Sequence, residues 1–290
     1  MQPLIWESRP ESLRAPALVC AFTGWNDAGE AASSAVQFLG TTLGATRFAR
    51  IDPEEFFDFQ AERPTVRLVD GRTREVTWPS IEIWAARAPR APRDLVLLAG
   101  PEPSMRWRGF CTTIIELAEA LGVQLTVTLG ALLADVPHTR PVPMVGIASD
   151  EGLAERIGLN PTDYEGPTGI TGVLHAACSQ AGMPAASLWA SVPHYVAAAP
   201  NPKASLALVR RLESLVGVSV DASELENAAG EYERRVTSAV AGDDDVRRFV
   251  ERLEQAADAE APEPESPEVP SGDVLAREFQ RFLNQRGDDA

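Results

Sequence analysis

Seven side chains able to exchange a proton or hold a ligand fall in short polar loops behind apolar runs. Asn26 and Asp27 follow 17–24 (ALVCAFTG), and Glu102 and Arg106 follow 94–100 (DLVLLAG). His138 and Arg140 follow 123–132 (VQLTVTLGAL), and His194 stands at the end of 185–192 (AASLWASV). In an open α/β sheet, ligands gather in the crevice at the carboxyl ends of the strands, so these loops are expected to line one pocket. A carboxylate and an imidazole there can act as general acid and base, which makes Asp27, Glu102, His138 and His194 the acid/base candidates. Asp27 has a second reading. Its spacing to Glu30 is that of a capping box, in which the carboxylate serves the free amides of a helix start.

The segment 164–172 (YEGPTGITG) adds Gly166, Thr168, Gly169 and Thr171 to the candidate ligand pocket. Free amides at a helix start attract phosphate or carboxylate. The competing reading is a tight turn against the sheet. The segment does not match GxxxxGK[ST] and holds no lysine, and GxGxxG and GxSxG are absent from the chain. Nucleotide hydrolysis, a dinucleotide fingerprint and a nucleophile elbow are therefore unsupported. The histidines lack HExxH or comparable spacing, so no metal is expected, and no cofactor is implied. Cys20, Cys111 and Cys178 each lie in an apolar stretch, too far apart for a zinc site or disulfide framework. They read as buried thiols of a reducing compartment.

The elements that must carry these residues alternate. The runs at 17–24, 94–100, 123–132 and 185–192 read as buried strands. Helices are expected after 25, over 105–121 stopped by Gly122, over 170–181 stopped by Gly182, and over 202–216. The Asp-Gly pair at 70–71 favours a type I′ turn, which places a β-hairpin over 65–78 with 81–85 as its third strand. Pro143 marks 142–148 as an edge strand. The expected fold is α/β: a mostly parallel sheet with helices on both faces, an antiparallel hairpin insertion and a helical C-terminal region. The division expected is a core over 1–218, a helical region over 219–258, an acidic Pro/Glu linker over 259–272 and a terminal helix and tail over 273–290. Asp221 and Glu224 repeat the capping-box spacing. The terminal helix carries Leu275, Phe279, Phe282 and Leu283, too short an apolar stripe to stand alone in water, so it reads as a partner-binding element.

Hydrophobic residues make up 44% of the 290, enough for a sizeable core. The net charge is −16, half of it in 243–290, where 14 Asp/Glu face 6 Arg. So acidic a surface repels phosphate backbones and counts against nucleic-acid binding. No stretch approaches the ~20 apolar residues of a membrane span, and no segment reads as a signal peptide, so a cytoplasmic protein away from membranes is expected.

The blocks GWNDAGEAAS (24–33), RPTVRLVDGRTREVTWP (63–79), GPEPSMRWRGF (100–110), LGALLADVPHTRPVP (129–143), YEGPTGITGVLHAAC (164–178) and SVPHYVAAAPNPKASLALV (191–209), taken together and in order, resemble the proteasome assembly chaperone 2 family, most closely its actinobacterial branch. The resemblance implies a phosphorylase/hydrolase-like α/β fold and a helical C-terminal region. It further implies a non-catalytic chaperone that assists 20S proteasome assembly without ATP by binding proteasome α subunits. In some relatives a C-terminal hydrophobic–tyrosine–X tail inserts into the α ring, whereas this chain reads Arg286–Gly287–Asp288–Asp289–Ala290 there. A small-molecule enzyme or binder using a phosphorylase/hydrolase-like pocket is the alternative. A homo-oligomer is also expected, in which a neighbouring subunit supplies the apolar surface that the terminal helix needs.

Overall fold

The computed structural model describes residues 3–158, 164–196 and 199–260. The apolar runs become strands and the amphipathic runs become helices. In chain order they are β1 (Leu4–Trp6), β2 (Ala17–Thr23), α1 (Ala31–Thr42), β3 (Thr46–Ile51), β4 (Thr65–Val69), β5 (Thr73–Thr77), β6 (Ile81–Ala86), β7 (Leu95–Pro101), α2 (Trp107–Leu121) and β8 (Leu125–Ala134). There follow β9 (Met144–Ala148), α3 (Glu151–Ile157), α4 (Ile170–Gln180), β10 (Ala185–Pro193), α5 (Pro202–Val216), α6 (Ser223–Val240) and α7 (Asp244–Glu260).

Among the described residues, eight strands form one sheet in the order β1-β3-β6-β7-β2-β8-β10-β9. The centre, β7-β2-β8-β10, is parallel, and β6 and β9 close it on either side as antiparallel neighbours. β3 is antiparallel to β6 and therefore runs with the central four, so most of the sheet points one way. Parallel strands must be covered on both faces, and their side chains are accordingly apolar throughout: Ala17 to Phe22 of β2 are fully buried. One face packs under α1 and α5, through Val19, Leu97, Val127 and Leu188 against Ala35, Leu39, Leu208 and Leu212. The other packs under α2 and α4, through Cys20, Leu98 and Ile83 against Phe110, Cys111, Ile114, Leu174 and Cys178. All three cysteines are free and lie in this second layer, where burial raises Cys178, pushes Cys111 up to about 12 and holds Cys20 well above the usual thiol range.

Several expectations need correction. Strand 81–85 belongs to the main sheet, between β3 and β7, and the hairpin β4–β5 stands as a separate two-stranded sheet. The capping box at Asp27 and Glu30 does not form, because Glu30 takes a left-handed conformation at φ 51° and α1 begins one residue later. Asp221 likewise receives the Ser223 amide and hydroxyl instead of capping a helix jointly with Glu224. The edge position of β9 is as Pro143 indicated.

The chain divides into two compact units, Met1–Glu254 and Gln255–Ala290. In the first, Ala229, Tyr232 and Val236 are the buried stripe of α6, which packs beside α5. In the second, 255–260 are helical. The linker and the stripe of Leu275, Phe279, Phe282 and Leu283 lie outside the described residues. No described helix is long and apolar enough to cross a membrane.

Candidate functional site

The strand order reverses at β2. Its neighbour β7 leads into α2 on one face of the sheet, while β2 itself leads into α1 on the other. A crevice must open where two such loops part, and Asn26 and Glu102 sit on its two sides. Gly24, at φ 116°, makes the turn out of β2 that a residue with a Cβ resists. The Ala131 amide donates to the Asn26 carbonyl at 2.8 Å, which pins this loop to β8.

The crevice is bridged by the protein's own groups. Asn26 Nδ2 donates to Glu102 Oε1 at 2.6 Å, and the Ile170 amide donates to the same oxygen at 2.8 Å. Glu102 therefore caps α4, whose own N-cap is Gly169 and supplies no side chain. A Cβ on Gly169 would lie 2.2 Å from Asn26 Oδ1, so only glycine lets the 164–172 segment close over the crevice. Of the other residues in that segment, Thr171 is buried and Thr168 Oγ1 lies where a Cβ on Gly172 would fall. Tyr164 and Gly166 form the outer turn, with the Tyr164 hydroxyl donating to the Pro167 carbonyl. The helix start that was a candidate anion site already holds a carboxylate.

Asp27 is 6% exposed and turns the other way, into α1, where Oδ1 accepts from the Ala32 amide at 2.7 Å and the Ser33 amide at 3.3 Å. Burial raises its pKa, against the pull of those hydrogen bonds. Asn26 Oδ1, Asp27 Oδ2 and Thr171 Oγ1 are buried with no hydrogen-bond partner among the described residues. Arg106, left-handed at φ 55° ahead of α2, extends outward to Glu55 at 3.0 Å.

His138, Arg140 and His194 form a second cluster, at the ends of β8 and β10. The Tyr195 hydroxyl accepts from the His138 amide and lies 2.8 Å from His138 Nδ1, while His138 Nε2 lies 3.1 Å from Thr237 Oγ1. Thr237 donates its own proton to the Glu233 carbonyl. This pattern suits a neutral imidazole with its proton on Nε2. Burial, then the nearby Lys203, lowers the His138 pKa, and burial raises that of Tyr195. Lys203 joins the His138 carbonyl to Glu233, and Thr139 donates to Glu254, with Arg140 Nη1 3.6 Å from the same carboxylate. His194 Nδ1 is 2.8 Å from Asp135, and its ring meets Tyr195 and Phe249 edge-on. The cluster fastens the β8–β9 loop to α5, α6 and α7.

The expected single pocket is thus resolved into two hydrogen-bonded clusters. In both, each acid/base candidate already holds backbone or side-chain partners. Sequence reasoning missed Tyr195, Lys203, Glu233 and Thr237; Lys203, the one lysine among 26 basic residues, was the available pointer. It also missed a groove of about 510 Å³ lined by Thr23, Gln37, Ser80, Glu82, Trp84 and Ala99, between α1 and the exposed part of β6 and β7. Trp25, Met105 and Tyr164 stand exposed on the loops around the bridged crevice.

A PAC2 family model matches residues 21–240. A Mycobacterium tuberculosis protein described as a proteasome-assembly chaperone homologue superposes with a TM-score of 0.76 at 48% identity, over 81% of this chain and 99% of its own. A PAC2 family protein of Streptomyces avermitilis gives 0.76 at 50% identity over the same shares. Pyrococcus furiosus PbaA, described as an archaeal homolog of proteasome-assembly chaperone, shares the fold with a TM-score of 0.59 at 17% identity, over 88% of this chain and all of its own. A search of curated proteins finds no match. The family match takes in Asn26, Glu102, His138 and His194 and most of the central sheet that carries them, and with two relatives this similar the chain belongs to the PAC2 family, among actinobacterial members.

Proposed function

We propose that this chain is a non-catalytic protein-binding module that assists assembly of the 20S proteasome without ATP, in the cytoplasm and as a homo-oligomer, by binding proteasome α subunits. One observation carries this reading. The crevice where an enzyme of this architecture would hold substrate is bridged by Asn26 and Glu102, while Trp25, Met105 and Tyr164 are exposed around it. Exposed aromatic and methionine side chains are the groups that anchor protein interfaces. The description of the 48% identical Mycobacterium protein supports the choice of partner.

The test is capture of purified proteasome α subunits by the full chain in nucleotide-free buffer, with native gels of α and β subunits mixed with and without it. The expected result is capture, faster appearance of assembled particles, and loss of both in Trp25→Ser/Met105→Ser. No capture and unchanged assembly overturn the reading. A small-molecule binder is the second reading, favoured by the groove at Glu82 and Trp84, whose volume is that of a ligand site. A thermal-shift screen of nucleosides, phosphates and amino acids tests it, and a flat response removes it.

A further inference from the structure

The hairpin β4–β5 is patterned for burial that its own chain does not provide. Its register pairs Val66 with Val76 and Leu68 with Arg74, so Val66, Leu68, Arg74 and Val76 share one face, with Trp78 just past the end of β5, and Thr65, Arg67, Glu75 and Thr77 share the other. Arg67 and Glu75 are joined across the polar face at 2.6 Å. The apolar four are 55%, 60%, 50% and 50% exposed. Trp78 meets Phe59 edge-on at the base of the hairpin, with ring centroids 4.8 Å apart. Beyond that base, the sheet formed by β4 and β5 is separate from the main sheet. An isolated two-stranded hairpin is marginal in water, and alternation of this kind marks a strand pair with one face covered.

Charge identifies the cover. Residues 63–78 hold four arginines and two acids, a net of +2 in a chain of −16; the rest of 1–242 carries −10 and 243–290 the remaining −8. A basic, apolar arm fits an acidic surface, and the body of every other copy of this chain presents one. Arm-to-arm pairing would bring like charges together, so the favoured contact is arm to body. We propose that the β4–β5 hairpin docks on the acidic body of a second copy of this chain through Val66, Leu68, Val76 and Trp78, steered by Arg72 and Arg74. The inference rests on the proposed self-association and names the surface that produces it.

The test is light scattering and sedimentation of the full chain at micromolar concentration, compared with Val66→Thr/Leu68→Thr and with Arg72→Glu/Arg74→Glu. All four positions are exposed and lie outside the core layers, so circular dichroism and melting should match the parent. The expected result is an oligomer for the parent and at least about tenfold weaker association for each variant. The arginine variant should differ most at ~50 mM salt and least at ~0.5 M, where screening is short-ranged. An oligomeric parent whose variants associate unchanged overturns the arm while leaving self-association standing. A parent that stays monomeric overturns both, and α-subunit capture is read independently of either.

Discussion

Replacing Glu102 separates a structural bridge from a chemical group. One oxygen of this carboxylate receives both Asn26 Nδ2 and the Ile170 amide. Glu102→Ala removes the acceptor and leaves two donors without it. Ile170 is fully buried, so its amide bears the whole desolvation cost, and Asn26 is buried as well. At ~1–3 kcal/mol for each stranded donor, the variant should lose about 2–6 kcal/mol of stability. Glu102→Gln retains a carbonyl oxygen that can accept from both donors, and gives up only the strengthening that charge lends them. It should lose about 1 kcal/mol. The assay is urea unfolding of parent and both variants at neutral pH, followed by α-subunit capture. Two outcomes would refute the reasoning. If glutamine costs as much as alanine, the negative charge itself is required. If glutamine unfolds like the parent yet abolishes capture or assembly, Glu102 acts on something other than Asn26 and Ile170.

Gly169→Ala should destabilise by about 2 kcal/mol or more, because the new methyl lands 2.2 Å from Asn26 Oδ1, well inside van der Waals contact, and the segment must lift from the crevice; an unchanged urea midpoint contradicts the close packing. Burial pushes Asp94 up, but hydrogen bonds from Arg14 and the Ala88 amide outweigh it and hold the pKa at about 2. A depressed carboxyl stabilises above its unfolded pKa and ceases to as pH falls through its folded one. Asp94→Asn should therefore cost about 1–2 kcal/mol at pH 7, after discounting for the half-exposed Arg14, and the difference from the parent should shrink between about pH 4 and pH 2 in urea titrations. His138 also has a lowered pKa, so the unfolded chain takes up the proton first. The parent should lose stability as pH falls below about 6.5, and His138→Gln should flatten that limb in the same titrations.

The fold was legible wherever burial was continuous. The runs at 17–23, 95–101, 125–134 and 185–193 are largely apolar on both faces because they are the central parallel strands. β3 escaped because Thr46–Ile51 alternates, with Arg47 and Arg50 facing out to Glu7 and Glu82, and an irregularity between Arg47 and Ala49 breaks its period. Residue 81 was assigned to the hairpin because adjacency in sequence was the available guide, whereas β6 pairs with strands on either side of it in the sequence. At the site, residue types were legible and their grouping was not. Glu102 meets Asn26 because β7 and β2 are neighbours, and His138 meets Thr237 because α6, packed beside α5, reaches the loop after β8, facts of topology that no local pattern contains. The left-handed turn at Glu30 moved the Asp27 bonds to Ala32 and Ser33, beyond the spacing a capping box prescribes.

The placing of all three cysteines in the layer beneath α2 and α4 gives the molecule an internal clock for its own opening. At neutral pH the Cys20 and Cys111 thiols hold their protons, and none of the three side chains reaches solvent. A thiol reagent added to the native protein can then react only with molecules in which that layer has come apart. Labelling of Cys20, at the middle of the sheet, would count complete openings. Any faster labelling of Cys111 on α2 or Cys178 on α4 would report that helix lifting from the sheet by itself. The bridge from Glu102 to the start of α4 should appear in such an experiment as a delay in Cys178, measurable without introducing any new cysteine.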